Sequence, residues 1–218
     1  WNLLLKSIPD SLVAMAMMNL FQSIIFIPII FFIPLPSGIT WYFILGSVIL
    51  HNIYFISLGS SYNKNDLTLI YPIARGCAPV FVMIFSLILL KEKISTEGII
   101  GILLVSFALL ILTAEHYKKK FNFYVFRISI FIALIISIYT LFDSLGVRST
   151  ENSFVYIAWI FFLEGWVTFG YVYFRKKNKL YKFMSKEFIL ICICSILSFT
   201  AYAIILSSFK YLPAGYVA

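Results

Sequence analysis

The stretch from Asp66 to Glu92, DLTLIYPIARGCAPVFVMIFSLILLKE, decides the fold class of this protein. Its length and apolar content predict a helix that fills a bilayer. Pro72 and Pro79 lie within it and free backbone carbonyls, which only neighbouring helices or a wet cavity can satisfy. Between them lies Arg75, whose charge is costly at membrane depth and therefore indicates a function. The stretch predicts a transmembrane helix that lines a polar cavity.

The composition of the whole chain agrees with this interpretation. Of 218 residues, 62% are apolar and 12% are charged, and the mean hydropathy is +0.99. A soluble core does not need so much apolar surface, so we predict an all-α, multi-pass membrane protein in contact with the lipid bilayer, in a bacterial inner (plasma) membrane. The net charge of +8 lies in short loops, which favours orientation in the membrane over binding to nucleic acid.

The apolar runs predict seven complete spans. Short links between several of them predict that consecutive helices are antiparallel neighbours. A partial helix at Trp1–Lys6 and another beginning at Leu212 bring the prediction to seven complete spans plus two partial ones. The seven cover residues 11–33, 39–62, 67–90, 96–114, 124–148, 153–174 and 187–210.

The basic residues divide unequally between the two sides of these spans. Twelve fall on one side and four on the other, which predicts that the first side is cytoplasmic. The twelve are Lys6, Lys64, Lys118, Lys119, Lys120, Arg127, Arg175, Lys176, Lys177, Lys179, Lys182 and Lys186, and the four are Lys91, Lys93, Arg148 and Lys210.

A layer of polar residues is predicted near the middle of the bundle. Five residues on four spans lie about 12–16 Å from the cytoplasmic edge by helical rise: Asn19, Gln22, His51, Arg75 and Glu164. Glu164 is expected either to pair with Arg75 or to carry a proton. Asp143 lies nearer the opposite face, so depth favours Glu164 over Asp143 as the partner of Arg75. The alternative is that these groups only bind helices to each other, and for the amides Asn19 and Gln22 that alternative is as good.

Four tyrosines complete the candidate substrate-binding residues. Tyr71 shares a helix face with Arg75, and Tyr54 shares one with His51. Tyr139 and Tyr202 lie about 22 Å deep in their own spans and are expected to line the same path. We therefore predict a site formed by Asn19, His51, Tyr54, Tyr71, Arg75, Tyr139, Asp143, Glu164 and Tyr202, with simple packing as the alternative for each tyrosine.

The chain carries none of the common enzyme signatures. HExxH, GxSxG and a glycine-rich phosphate loop are all missing from the sequence. Cys192 and Cys194 point to different sides of a helix, so they cannot share a metal ion. We predict no catalytic residue, no metal and no cofactor.

A weak internal repeat relates the two parts of the chain. Residues 1–4 resemble 139–142, and residues 54–62 resemble 202–209. Five predicted helices separate the copies, and an odd number inverts the second copy, as in many transporters.

The chain also resembles the EamA-like family of the drug/metabolite transporter superfamily. The likeness lies in His51 and Tyr54, in Asp66–Gly76 with Ala78–Pro79, in Lys91–Ser95, in Tyr139–Asp143 and in Leu212–Ala218. It implies ten helices in two inverted five-helix repeats, here truncated at both ends and covering 1–123 and 124–218. It also implies that the protein moves small metabolites.

We therefore expect a secondary transporter that moves a small metabolite by alternating access through a central cavity. Arg75 would suit a substrate with a carboxylate or phosphate group. A non-transporting membrane-embedded subunit and a flippase for lipid-linked substrates are the alternatives. The sequence leaves assembly into a homo-oligomer open.

Overall fold

The chain folds into a bundle of long helices. The computed structural model describes residues 10–62, 67–117, 123–184 and 188–218, and every regular element in these ranges is a helix. The all-α prediction is thereby confirmed. In chain order the helices are α1 (Ser11–Ile30), α2 (Gly38–Tyr62), α3 (Leu67–Leu89), α4 (Thr96–Tyr117), α5 (Phe123–Arg148), α6 (Ser153–Met184), α7 (Phe188–Ser208) and the single turn α8 (Ala214–Val217).

Six of the described helices, α1, α2, α3, α5, α6 and α7, are long and apolar enough to cross a membrane. Helix α4 contains a shorter apolar stretch, Thr96–Ile111. The protein is therefore a multi-pass membrane protein, whereas the seventh span and the inverted repeat stay predictions. The partial helix predicted at Trp1–Lys6 lies outside the described residues, as do the loop lysines Lys6, Lys64, Lys118, Lys119, Lys120 and Lys186.

The distribution of polar groups is the reverse of that in a soluble protein. Large apolar side chains such as Phe32, Leu104 and Ile204 are exposed on the outside of the bundle. Asp143 and Thr168, in contrast, are completely buried. An apolar surface around a polar interior fits a bundle surrounded by lipid.

The most extensive packing joins helices that are distant in sequence. Helix α1 lies along α6, and α5 packs against both α2 and α3. Helices α2 and α3 touch little, so the prediction that consecutive helices are neighbours is wrong for this pair. A short link sets the direction of the next helix, but complementary surfaces set its partner. Gly46 of α2 illustrates this, because a Cβ there would lie 2.3 Å from the Phe142 ring of α5.

The departure from helical geometry lies in α6 rather than in the helix with two prolines. Helix α3 stays helical through Pro72 and Pro79. In α6 the backbone is non-helical at Lys176, with φ −140° and ψ 31°. The Lys176 ammonium lies 2.8 Å from an oxygen of Asp10, the residue that caps α1. This ion pair joins the bend in α6 to the beginning of α1.

Candidate functional site

His51 lies near the middle of α2 and is almost completely buried. Its Nε2 atom is 3.1 Å from the Tyr202 hydroxyl and 3.7 Å from Asp143 Oδ2. On the other side of the ring, Nδ1 is 3.6 Å from Glu164 Oε1 and makes no hydrogen bond. The imidazole therefore stands between two carboxylates that belong to α5 and α6.

Asp143 of α5 is held by three hydroxyl groups. Ser47 Oγ donates to its carboxylate at 2.5 Å, Tyr156 donates at 3.0 Å, and Tyr202 donates to the second oxygen. The sequence analysis places Asp143 nearer the opposite face than the polar layer, and in the structure its carboxylate reaches that layer, 3.7 Å from His51 Nε2. The beginning of α2 and the end of α5 are level, since Thr40 Oγ1 lies 2.8 Å from Ser149 Oγ. The direction of the side chains, rather than depth alone, therefore brings Asp143 and His51 together.

With Asp143 ionised, these hydroxyls define one consistent set of proton positions in the cluster. A tyrosine hydroxyl has one proton, and that of Tyr202 goes to Asp143, so its oxygen accepts from His51 Nε2. A neutral imidazole then carries no proton on Nδ1. His51 Nδ1 and the Glu164 carboxylate are thus two neighbouring hydrogen-bond acceptors with no donor between them among the described residues.

Arg75 of α3 lies among aromatic rings rather than beside a carboxylate. Its guanidinium carbon is 5.6 Å from the centre of the Tyr71 ring, and it interacts electrostatically with the hydroxyls of Tyr54 and Tyr139. The buried Nε atom makes no hydrogen bond. No ion pair among the described residues includes Arg75, so the predicted pairing with Glu164 is wrong. Glu164 faces His51 instead.

A cavity of about 140 Å³ opens between these groups. Six of the nine predicted site residues line it: His51, Tyr54, Arg75, Tyr139, Glu164 and Tyr202. The aromatic rings form a continuous wall, with the His51 ring 4.1 Å from that of Tyr139 and 5.3 Å from that of Tyr202. Asp143 joins the site from behind, through Tyr202 and His51.

Two other predicted residues do not line this cavity. Tyr71 lies under the Arg75 guanidinium. Asn19 is buried where α1 meets α6, close to Gly165, and both polar atoms of its side chain lack a hydrogen-bond partner. The amide that does reach the cavity is Gln22, one turn further along α1, which also donates to the Ser195 carbonyl at 2.9 Å.

Ser47 and Tyr156, which donate to Asp143, are members of the candidate site that the sequence analysis missed. Ser47 lies one helical turn before His51, so the i, i+4 spacing could have indicated it. Tyr156 lies at the beginning of α6, and no sequence pattern connects it with α5. A third polar contact, from Asn52 Nδ2 to the Glu164 carbonyl at 3.3 Å, fixes α2 against α6 beside the cavity.

The arrangement can bind a polar or charged ligand. One cation, one carboxylate, an imidazole and aromatic rings line the same cavity, and a second carboxylate, that of Asp143, lies behind them. In the part of the chain that the structure describes, no three His, Cys, Asp or Glu side chains are placed to hold a metal ion. Cys77, Cys192 and Cys194 are free thiols, and none lines the cavity.

Comparison with known proteins gives no relative. No protein-family model, no curated protein and no solved structure matches the chain.

Proposed function

We propose that the protein is a secondary transporter that carries a small metabolite across the membrane by alternating access through the central cavity. The observation that carries this proposal is Arg75, a charged residue that lines a polar cavity within the bundle and forms no ion pair among the described residues. A full charge is costly there, and helix packing does not require one. A cavity that binds a charged substrate gives the charge a function.

The same cavity favours a transporter over a non-transporting subunit. His51, Arg75 and Glu164 come from three different helices and border one open space. A bundle whose interior serves only packing would fill that space with apolar side chains. We further propose the two inverted repeats and membership of the EamA-like family as the framework in which access alternates, in a bacterial plasma membrane.

Replacing Arg75 by Gln tests the proposal. The full chain is reconstituted in liposomes and incubated with a defined mixture of carboxylates, phosphates, amines, amino acids and sugars, and the trapped compounds are measured by mass spectrometry. We expect the trapped amount of at least one compound to be higher than in protein-free liposomes. Arg75→Gln should lower its uptake by about tenfold or more, because a lost charged hydrogen bond costs about 1.5–3 kcal/mol.

Arg127→Gln provides the matched control. Arg127 also lies over an aromatic ring, 5.8 Å from the centre of Phe123, but it is exposed at the beginning of α5. Its replacement should leave uptake unchanged. The proposal would be overturned if no compound were taken up. It would also be overturned if the Arg75 variant, with an unchanged size-exclusion elution profile, took up as much as the unmodified protein.

A further inference from the structure

The cavity is lined by two charged side chains of opposite sign that do not pair with each other. Arg75 brings a guanidinium from α3, and Glu164 brings a carboxylate from α6. No ion pair within 4.0 Å joins them. Asp143 is not a third charge of this space, because its oxygens accept from three hydroxyls and it lies behind the lining.

The residues that line the cavity also include buried polar atoms without a hydrogen-bond partner, a donor in Arg75 and an acceptor in His51. At Arg75 the free atom is a donor, Nε. At the other pole, His51 Nδ1 and Glu164 Oε1 are two acceptors 3.6 Å apart, and Nδ1 has no hydrogen bond. An acceptor is therefore missing beside Arg75, and a donor is missing beside Glu164 and His51. Buried polar groups of this kind are costly until a ligand supplies their partners.

The size and the remaining walls limit the ligand further. A volume of about 140 Å³ is below the ~300–1,000 Å³ of pockets for drug-sized molecules. Phe55, Phe161, Ala201 and Ile205 contribute apolar surface between the polar groups. The ligand therefore combines two charged ends with a small apolar portion.

We propose that the cavity binds a small zwitterion of the α-amino acid type, with its carboxylate at Arg75 and its ammonium group between Glu164 and His51. This rests on the proposed transport function and names its substrate class. A simple anion would leave Glu164 unpaired, and a simple amine would leave Arg75 unpaired. A zwitterion pairs both and adds no net charge to the site.

Matched ligand trios test this assignment on the unmodified protein. Each trio consists of an amino acid, its decarboxylated amine and its deaminated acid: for L-valine these are isobutylamine and 3-methylbutanoate, and equivalent trios are built on L-alanine and L-phenylalanine. Ligand-dependent thermal stabilisation of the full chain in detergent gives the apparent affinity. We expect at least one amino acid to bind about tenfold or more tightly than its own amine and acid, because each of these leaves one buried charge unpaired.

Two charge-neutral variants then test which residue binds the carboxylate of the ligand and which binds its ammonium group. Arg75→Gln should remove the preference for the amino acid over its amine, and Glu164→Gln should remove the preference over its acid. Arg127→Gln and the exposed Glu151→Gln are the matched controls and should keep both preferences.

Three outcomes would overturn the proposal that the ligand is a zwitterion. They are the lack of any amino acid that binds more tightly than both its amine and its acid, a Glu164→Gln variant with unchanged preferences, and no stabilisation by any amino acid. In each case, uptake of another compound by liposomes with the same protein would leave the transport proposal standing, so the two failures are distinguishable.

Discussion

Asp143 is the residue on which hydroxyl groups from three other helices converge. Ser47 comes from α2, Tyr156 from α6 and Tyr202 from α7, and each donates to its carboxylate. A carboxylate accepts all three because it has about four lone-pair sites and no proton of its own. Through Tyr202 this arrangement also fixes the orientation of the His51 ring at the cavity.

Asp143→Asn should destabilise the protein while keeping the shape of the side chain. An amide has one oxygen and two N–H donors, so at least one hydroxyl loses its acceptor, at a cost of about 1–3 kcal/mol. The measurement is thermal unfolding in detergent. The neighbouring Ser144→Ala is the control, because Ser144 Oγ is buried without a hydrogen-bond partner and its removal should be neutral or stabilising. Equal stability of Asp143→Asn and wild type would contradict this role.

At the scale of the helices, the packing of α1 against α6 positions Glu164. Gly165 of α6 lies directly against the α1 backbone, where a Cβ would be 2.2 Å from the Asn19 carbonyl oxygen. Its amide donates to Ser23 Oγ at 3.0 Å, and Ser23 donates to the Phe161 carbonyl at 2.7 Å. A small residue at the crossing is a common feature of membrane helix pairs, because it lets the backbones approach.

Gly165→Ala should therefore destabilise the bundle, in spite of the higher helix propensity of alanine. The methyl group would force the α1 backbone to move, and overpacking of this kind costs about 1–3 kcal/mol. Gly170→Ala in the same helix is the control, since a Cβ there meets nothing within 4 Å. It should be neutral or slightly stabilising, and the difference is measured as a shift in the thermal unfolding midpoint. Similar midpoints for the two variants would show that the contact is not tight.

At the scale of the molecule, an ion pair lies at each end of the bundle. Asp10 and Lys176 form one at the end where α1 begins. Glu92 and Arg148 form the other, 2.5 Å apart, at the end where α5 stops. Arg148 also donates to the Phe209 and Leu212 carbonyls at 2.9 Å, and Glu92 accepts from the Ala214 amide at 2.8 Å. This second group ties the α3–α4 link and the α7–α8 link to α5.

Arg148→Met should loosen the segment after α7. The change removes three hydrogen bonds, each assisted by the charge of the guanidinium, and keeps a long unbranched side chain. Hydrogen–deuterium exchange of the amides in 212–218 should become about tenfold faster or more. Lys93→Met is the control, because Lys93 is exposed at the same end and makes none of these contacts. Unchanged exchange in the Arg148 variant would show that the contacts of Arg148 do not hold the segment after α7.

Arg75 and Asp143 show which features of the site could be predicted from the sequence. The depth of Arg75 follows from its own helix, so its place in a polar layer could be predicted. The neighbours of Arg75 could not be predicted. They are Tyr71, Tyr54 and Tyr139, and they depend on the rotation of α3 and on the helices that face it. The contact of Asp143 with His51 could not be predicted, because neither helix sequence shows which faces of α2 and α5 meet.

A bundle of membrane-spanning helices with charged and aromatic residues at membrane depth can be predicted from the amino-acid sequence alone. Hydropathy and length are properties of each segment, and the cost of an unpaired backbone group in lipid leaves the helix as the only open choice. The fit between helices places His51 between Asp143 and Glu164, and it leaves Arg75 without an ion pair among the described residues. These contacts join residues from about 90 to more than 110 positions apart in the chain, and they depend on how helix surfaces fit together rather than on any local pattern.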